Sequence, residues 1–274
     1  MSLDDPDLDA LVGEAAAVLD AAVRPFLDGH RAESAVAKAG DDFATEVDLA
    51  IERQVTEALR AATGIGVHGE EYGGAAVGSG LVWVLDPVDG TINYAAGLPT
   101  AAILLGLLRD GEPVAGLTWL PFVGQRFTAV VGKPLRLNGV DQPALAPARL
   151  RDSVVAAGSL TKNPRGRFPR RYRVAVLDRL NQHCTRVRMH GCTGLDLAYT
   201  AAGILGAAIS FGHHVWDHAA GVALLRSAGG VVTDLAGRPW TITSDSALAA
   251  APGVHDEMLD VLRAVGDPAE YRDG

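Results

Sequence analysis

Leu81-Val82-Trp83-Val84-Leu85-Asp86-Pro87-Val88-Asp89-Gly90-Thr91 joins an apolar run to two carboxylates, a proline, a glycine and a threonine. The apolar half predicts a strand. Pro87 holds its own φ at about −65° and has no N–H, so the strand is expected to stop and turn there. Two carboxylates three residues apart on such a turn can point into one space. A like-charged pair is costly there unless a cation sits between its members. Oxygen-only ligands favour a hard ion such as Mg²⁺, which binds through a few carboxylates and leaves positions for water and a substrate phosphate. Gly90 lets the backbone approach a ligand closely, and the N–H groups of Gly90 and Thr91 could hold a phosphate oxygen. Taken alone, Asp-Pro and Asp-Gly are also ordinary turn residues on a surface.

Two further acidic elements shift the balance towards a site. Gly69-Glu70-Glu71 follows a second short strand-like run, Ile65–His68. Trp216-Asp217-His218-Ala219-Ala220-Gly221 sets an Asp at the start of an apolar helix, where simple N-capping is the competing explanation. Carboxylates at the ends of three such elements are what a metal site at one edge of a sheet needs.

Outward from these motifs, residues 7–28 read as an Ala- and Leu-rich helix, and a polar loop follows through Asp42. Val47, Ile51, Val55 and Leu59 recur at helical spacing. Strands are expected at Ile65–His68, Leu81–Leu85, Ala101–Leu108, Val114–Trp119 and Arg126–Val131, with Asp110-Gly111-Glu112-Pro113 the clearest hairpin punctuation. Beyond a Pro- and Arg-rich stretch around 143–152, strands at Val154–Ala157, Arg186–Met189, Ala207–Phe211 and Val231–Thr233 alternate with helices. Those helices are expected at Arg170–Asn181, Leu195–Ala202, Trp216–Ala228 and Val254–Val265. This alternation indicates α/β layering. One compact catalytic unit is expected, built from an N-terminal part (1–145) carrying Glu70 and Asp86–Thr91 and a C-terminal part (146–274) carrying Asp217.

Composition narrows the function classes. The 274 residues include 24 basic and 33 acidic ones, a net charge of −9. That balance speaks against a nucleic-acid partner, which needs clustered Lys and Arg. It is compatible with a small phosphorylated metabolite, because bound metal ions supply positive charge locally. The N-terminus is acidic rather than signal-like, and apolar runs such as Ala101–Leu108 fall far short of the ~20 residues of a membrane helix. Cys184 and Cys192 have no metal-type spacing and form no disulfide framework. A cytoplasmic protein with no membrane partner is the expectation.

Glu70, Asp86–Thr91 and Trp216–Gly221, in that order and spacing, resemble the three motifs of the inositol monophosphatase family, Mg²⁺-dependent and Li⁺-sensitive phosphatases. The likeness spans nearly the whole chain and extends to Lys38, Asp42–Asp48 and Ala228-Gly229-Gly230. Its closer texture, at Asp48–Arg53 and Ile209–Gly212, resembles actinobacterial and mycobacterial members. The resemblance implies a layered α-β-α-β-α sandwich, a homodimer, and two or three Mg²⁺ ions. It implies that Glu70, Asp86, Asp89, Asp217 and the Val88 carbonyl are metal ligands. It also implies that Thr91 holds the attacking water, with Asp48 paired to it and Glu70 helping to orient that water.

By the same resemblance Gly191, Cys192, Thr193 and Ser210 contact the substrate, together with Asp89, Gly90, Thr91 and Asp217. Many relatives carry a glutamate where this chain has Ser210, which loosens the expected preference for inositol. The implied reaction converts inositol 1-phosphate to inositol and phosphate by metal-activated water. Histidinol phosphate, fructose 1,6-bisphosphate and a 3′-phosphoadenosine nucleotide are alternative substrates of the same scaffold. A non-catalytic metal-binding interaction protein is the alternative from another class. His213 and His214 are adjacent, so their rings are expected to point in opposite directions and not to share one ion.

Overall fold

The computed structural model describes residues 7–37, 43–160, 162–163 and 165–272. Helix α1 (Leu8–Asp28) starts where the Asp7 carboxylate accepts N–H bonds from Asp9 (3.0 Å) and Ala10 (3.4 Å). Strands β1 (Ser34–Ala37) and β2 (Phe43–Thr45) pair antiparallel. Lys38 and Asp42 lie outside the described residues. Helix α2 (Glu46–Thr63) begins at a capping box: the Thr45 hydroxyl accepts from helix N–H groups while the Asp48 carboxylate accepts the Thr45 N–H at 2.9 Å.

The larger sheet is formed by β3 (Gly66–Gly69), β4 (Gly73–Gly74), β5 (Leu81–Asp89), β6 (Ala102–Arg109), β7 (Glu112–Leu120), β8 (Gln125–Val130), β9 (Arg136–Leu137) and β10 (Val140–Asp141). Its spatial order is β10-β9-β8-β7-β6-β5-β3-β4. Strands β5 to β8 make an antiparallel meander, and β3 runs parallel to β5. A short helix α3 (Thr91–Ala96) interrupts the path from β5 to β6. The β6–β7 hairpin turns on Asp110 and Gly111, both at positive φ (51° and 83°), the backbone a two-residue turn of this hand requires.

The second half supplies β11 (Val154–Ala157), α4 (Arg170–His183), β12 (Arg186–Arg188), α5 (Thr193–Ala201), β13 (Ala207–Ser210), α6 (Val215–Ser227), β14 (Val231–Thr233), β15 (Ala247–Ala250) and α7 (Val254–Val265). The smaller sheet has the order β12-β11-β13-β15-β14, with the first three strands parallel. Strand β15 escapes a sequence reading because Ala-Leu-Ala-Ala favours strands weakly. Its complete burial between β13 and β14 overrides that propensity.

Strand alternation stacks these elements into five layers. Ile103, Leu105 and Leu107 of β6 pack with α1 and α2, whereas Ala102 and Leu104 meet α5 and α6 on the other face. Ala156, Ala208 and Ala249 close the far side of α5 and α6. Val155, Ile209 and Leu248 point outward to α4 and α7. The order is helices, sheet, helices, sheet, helices.

Helix α6 lies almost on the backbone of the larger sheet. A Cβ on Gly116 would stand 2.3 Å from the Ala220 carbonyl oxygen, and one on Gly106 2.7 Å from the Ala219 Cβ. Gly116→Val is therefore expected to destabilise the protein by about 3 kcal/mol, the upper range for an overfilled core. A fall in urea midpoint at constant slope checks this. An unchanged midpoint would mean that α6 can ride away from the sheet.

Candidate active site

The strand that enters the site does not stop at its proline. β5 runs through Pro87 to Asp89. Asp86 pairs with Leu104 and Asp89 with Ala102, so three steps on β5 match two on β6. One residue is extra: the expected turn is a β-bulge. Pro87 fits it because a bulged residue need not donate to the ladder, and the Asp86 carboxylate accepts the Val88 N–H at 3.0 Å across the proline. Residues three apart on a regular strand face opposite sides. The bulge reverses that parity, so Asp86 and Asp89 line the same cavity.

Around that cavity stand Glu70, Asp86, Val88, Asp89, Gly90, Thr91, Gly191, His214 and Asp217. Glu70 follows β3, and its N–H donates to Leu85 O at 3.1 Å, which fixes it beside β5. Asp217 arrives on the first turn of α6, whose cap residue is His214, so N-capping does not explain it. Gly90 caps α3 at φ 85°, and a Cβ there would stand 2.9 Å from Thr100 O and 3.2 Å from Gly191 O. Only glycine fits that conformation and that space.

Burial pushes the Asp86 carboxyl well above its ordinary range, and the charges of Glu70, Asp89, Asp217 and Asp48 push it further. Asp89 is raised to about 6 by burial, against the hydrogen bonds it accepts. Those come from the Gly194 N–H (2.5 Å), the Thr193 N–H (3.2 Å) and the Cys192 thiol (3.1 Å). Asp89 thus sits at the positive end of α5 and ties the two halves of the chain together. Asn93 adds a second tie, with Nδ2 2.7 Å from His190 O and 3.1 Å from Gly191 O. Among the described residues, no three His, Cys, Asp or Glu side chains converge closely enough to grip an ion by themselves. The carboxylates ring a wider space, which suits a hard cation that keeps water and substrate oxygens in its shell.

The Thr91 hydroxyl lies 2.9 Å from Val88 O and 3.3 Å from Asp48 Oδ1. One hydroxyl proton serves only one acceptor at a time, so the two compete. Asp48 is fully buried, and burial raises its pKa against the bonds it accepts from Thr45 and Thr91.

A second cavity of about 210 Å³ adjoins the first and shares Gly191 and Asp217 with it. Cys192, Thr193, Ser210, Phe211 and Arg173 are among its walls. Ser210 Oγ accepts the Gly212 N–H (3.2 Å) and lies 2.9 Å from His218 Nε2. The His213 and His214 rings do not diverge as expected. Their centroids are 4.2 Å apart, and His214 stacks on Trp216 at 4.5 Å, because this segment is a loop turning into α6 and not an extended strand.

Two structural supports were not singled out from sequence. Glu52, buried on α2, accepts the N–H groups of Glu71 and Tyr72, both at 2.8 Å, and so holds the loop that carries Glu70. A Cβ on Gly69 would stand 2.0 Å from Glu52 Oε1, so glycine there makes the approach possible. The signal was present: Asp48, Ile51, Glu52, Val55 and Leu59 share one helical stripe, and a charge in an apolar stripe marks a buried partner. Asn93 had no such signal, since its three carbonyl partners are set by the fold.

The layered α/β fold thus gathers Glu70, Asp86, Asp89 and Asp217 around one cavity, beside the buried Thr91–Asp48 pair. Solved structures agree: a Thermotoga maritima IMPase superposes with a TM-score of 0.84 at 26% identity, over 94% of this chain and 98% of that one. The model of the inositol monophosphatase family matches residues 4–265, and the chain belongs to that family. A relative from Mycolicibacterium smegmatis named inositol-1-monophosphatase ImpA is 65% identical over 98% of both chains. Another ImpA, from Mycobacterium tuberculosis, is 66% identical over 95% of this chain and 97% of its own.

Proposed function

We propose that the protein is a Mg²⁺-dependent phosphoric monoester hydrolase that converts inositol 1-phosphate to inositol and phosphate. The observation that carries this reading is the ring of Glu70, Asp86, Asp89 and Asp217 beside the Thr91–Asp48 pair. The 65% identity to a protein named inositol-1-monophosphatase supports the substrate. Buried carboxylates that repel one another, with oxygen donors alone, fit two or three Mg²⁺ ions, and the Val88 carbonyl adds a further donor. When bound, such ions lower the pKa of water and offset charge on the phosphoryl oxygens.

The chain's own residues position the reactants. Thr91 accepts a hydrogen bond from the attacking water and passes its own proton towards Asp48, and Glu70 orients the same water. The raised affinity of Asp48 for protons favours that direction of transfer. The Gly90 and Thr91 N–H groups face the phosphate, and Gly191, Cys192, Thr193, Ser210 and Asp217 receive the leaving alcohol. The homodimer, the cytoplasmic location and the division near residue 145 belong to the same proposal. No helix among the described residues is long and apolar enough to cross a membrane.

Ser210 favours a second reading, breadth among monoesters. Its hydroxyl is engaged by Gly212 and His218, so it offers the substrate no charge and little reach. A Thermotoga maritima relative, 28% identical over 82% of this chain and 84% of its own, is named fructose-1,6-bisphosphatase/inositol-1-monophosphatase. Phosphate release from inositol 1-phosphate, glycerol 2-phosphate, fructose 1,6-bisphosphate and histidinol phosphate, each with and without Mg²⁺, tests both readings. Metal-dependent release with efficiencies within ~100-fold of one another is expected. Turnover of inositol phosphate alone would remove the breadth, and no turnover of any ester would remove the phosphatase.

A further inference from the structure

One wall of the second cavity carries a hydroxyl whose proton is committed to the protein interior. Ser210 closes β13, is buried, and lines that cavity. Its Oγ accepts the Gly212 N–H at 3.2 Å and lies 2.9 Å from Nε2 of His218, a fully buried residue of α6. The contact with His218 needs one proton, which either the hydroxyl or the ring could supply. Burial disfavours the charged ring, so His218 is neutral and protonated on one nitrogen only. Its Nδ1 is buried without a hydrogen bond of good geometry, and the ring is drawn to the backbone carbonyl of His214, one turn earlier. A proton on Nε2 would set a bare Nδ1 lone pair against that carbonyl, away from water. The proton therefore belongs on Nδ1, which leaves Nε2 the acceptor and Ser210 the donor.

A free serine hydroxyl both donates and accepts, and it rotates to suit its ligand. Here the donor is spent on His218 and one lone pair on Gly212, so a single lone pair remains for the cavity. A Cβ on Gly212 would stand 3.4 Å from both Ser210 Oγ and Asp217 Oδ2, so the hydroxyl and the carboxylate flank one point. The two groups at that point both accept. We infer that His218 is a positioning residue: it draws the Ser210 proton inward and turns Ser210 into a fixed, uncharged acceptor for one hydroxyl donor on the leaving alcohol. His218 touches no substrate and acts only through Ser210. The role depends on the phosphatase reading above.

The test compares inositol 1-phosphate with analogues in which one ring hydroxyl at a time is replaced by fluorine, which donates no hydrogen bond. On wild type, one position should lose about tenfold in kcat/KM, mainly through KM, the scale of a donor withheld from a site built of acceptors. His218→Phe keeps a ring against Trp240 and frees the Ser210 proton to turn into the cavity. There the fluorine penalty should shrink to about threefold or less. His218→Gln, whose side-chain oxygen can take the same proton, should restore part of the penalty. In the unaltered protein, nitrogen NMR shifts of the His218 ring should show a protonated Nδ1 and a bare Nε2. A penalty at no position, a penalty unchanged in His218→Phe while the melting temperature drops, or a protonated Nε2 would overturn the inference and leave His218 a packing residue beside Trp240. No release from any ester by wild type would remove the phosphatase reading itself, and this one with it.

Discussion

Chelating divalent metal is expected to abolish phosphate release, by ~10³-fold or more, and to leave the protein folded. Several kcal/mol of charge stabilisation come from such ions, and each 1.36 kcal/mol is about tenfold in rate. The fold survives because its layers rest on apolar contacts on both faces of the larger sheet and not on the carboxylate cavity. The carboxylates give this prediction an unusual second sign. Asp86 stands among Glu70, Asp89, Asp217 and Asp48, all of which disfavour its charge. Asp86→Asn should therefore raise the melting temperature of the metal-free protein while weakening Mg²⁺ binding and turnover.

The pH dependence follows from the same crowding. Asp89 has an ordinary pKa of 3.8 and a folded, metal-free value of about 6. Between those values the folded state binds more protons than the unfolded one, so metal-free stability falls as pH rises and levels off above the folded value. The loss is on the order of 3 kcal/mol, two pKa units at 1.36 kcal/mol each. Saturating Mg²⁺ should flatten the curve, since the cation replaces the proton. Full turnover in chelator, or a metal-free stability that climbs from pH 4 to 7, would show that these carboxylates do not form a cation site.

Much of this was legible because the chemistry is concentrated in short motifs. The last helix, expected near Val254–Val265, forms there between Gly253 and Gly266. The Asp86–Thr91 motif was read correctly as two carboxylates sharing a space, but for an incomplete reason. Pro87 alone predicts an end to the strand, whereas a bulge absorbs it and turns both side chains to one cavity. What sequence could not carry depends on elements far apart in the chain. The N–H groups that hold Asp89 come from Thr193 and Gly194, and Asn93 reaches His190 and Gly191. Ala247–Ala250 is a strand only because two neighbours bury it.

Thr91→Ala is expected to lower kcat by about 10²-fold or more, with little change in KM. The hydroxyl sits between Val88 O and Asp48 Oδ1, and in the proposed mechanism it acts on water rather than on the leaving group. Removing it deletes the positioning of the nucleophile without emptying the substrate cavity. Thr91→Ser retains a hydroxyl and should keep most of the rate. Asp48→Asn is a less clean probe, because Asp48 also accepts the Thr45 N–H and so starts α2. It should cost stability as well as rate, visible as a lower urea midpoint that Thr91→Ala does not share. If Thr91 and Asp48 act as one unit, the double variant loses hardly more activity than Thr91→Ala alone. Additive losses would mean that the two residues assist the reaction separately. Wild-type turnover in Thr91→Ala would reduce Thr91 to the first residue of α3.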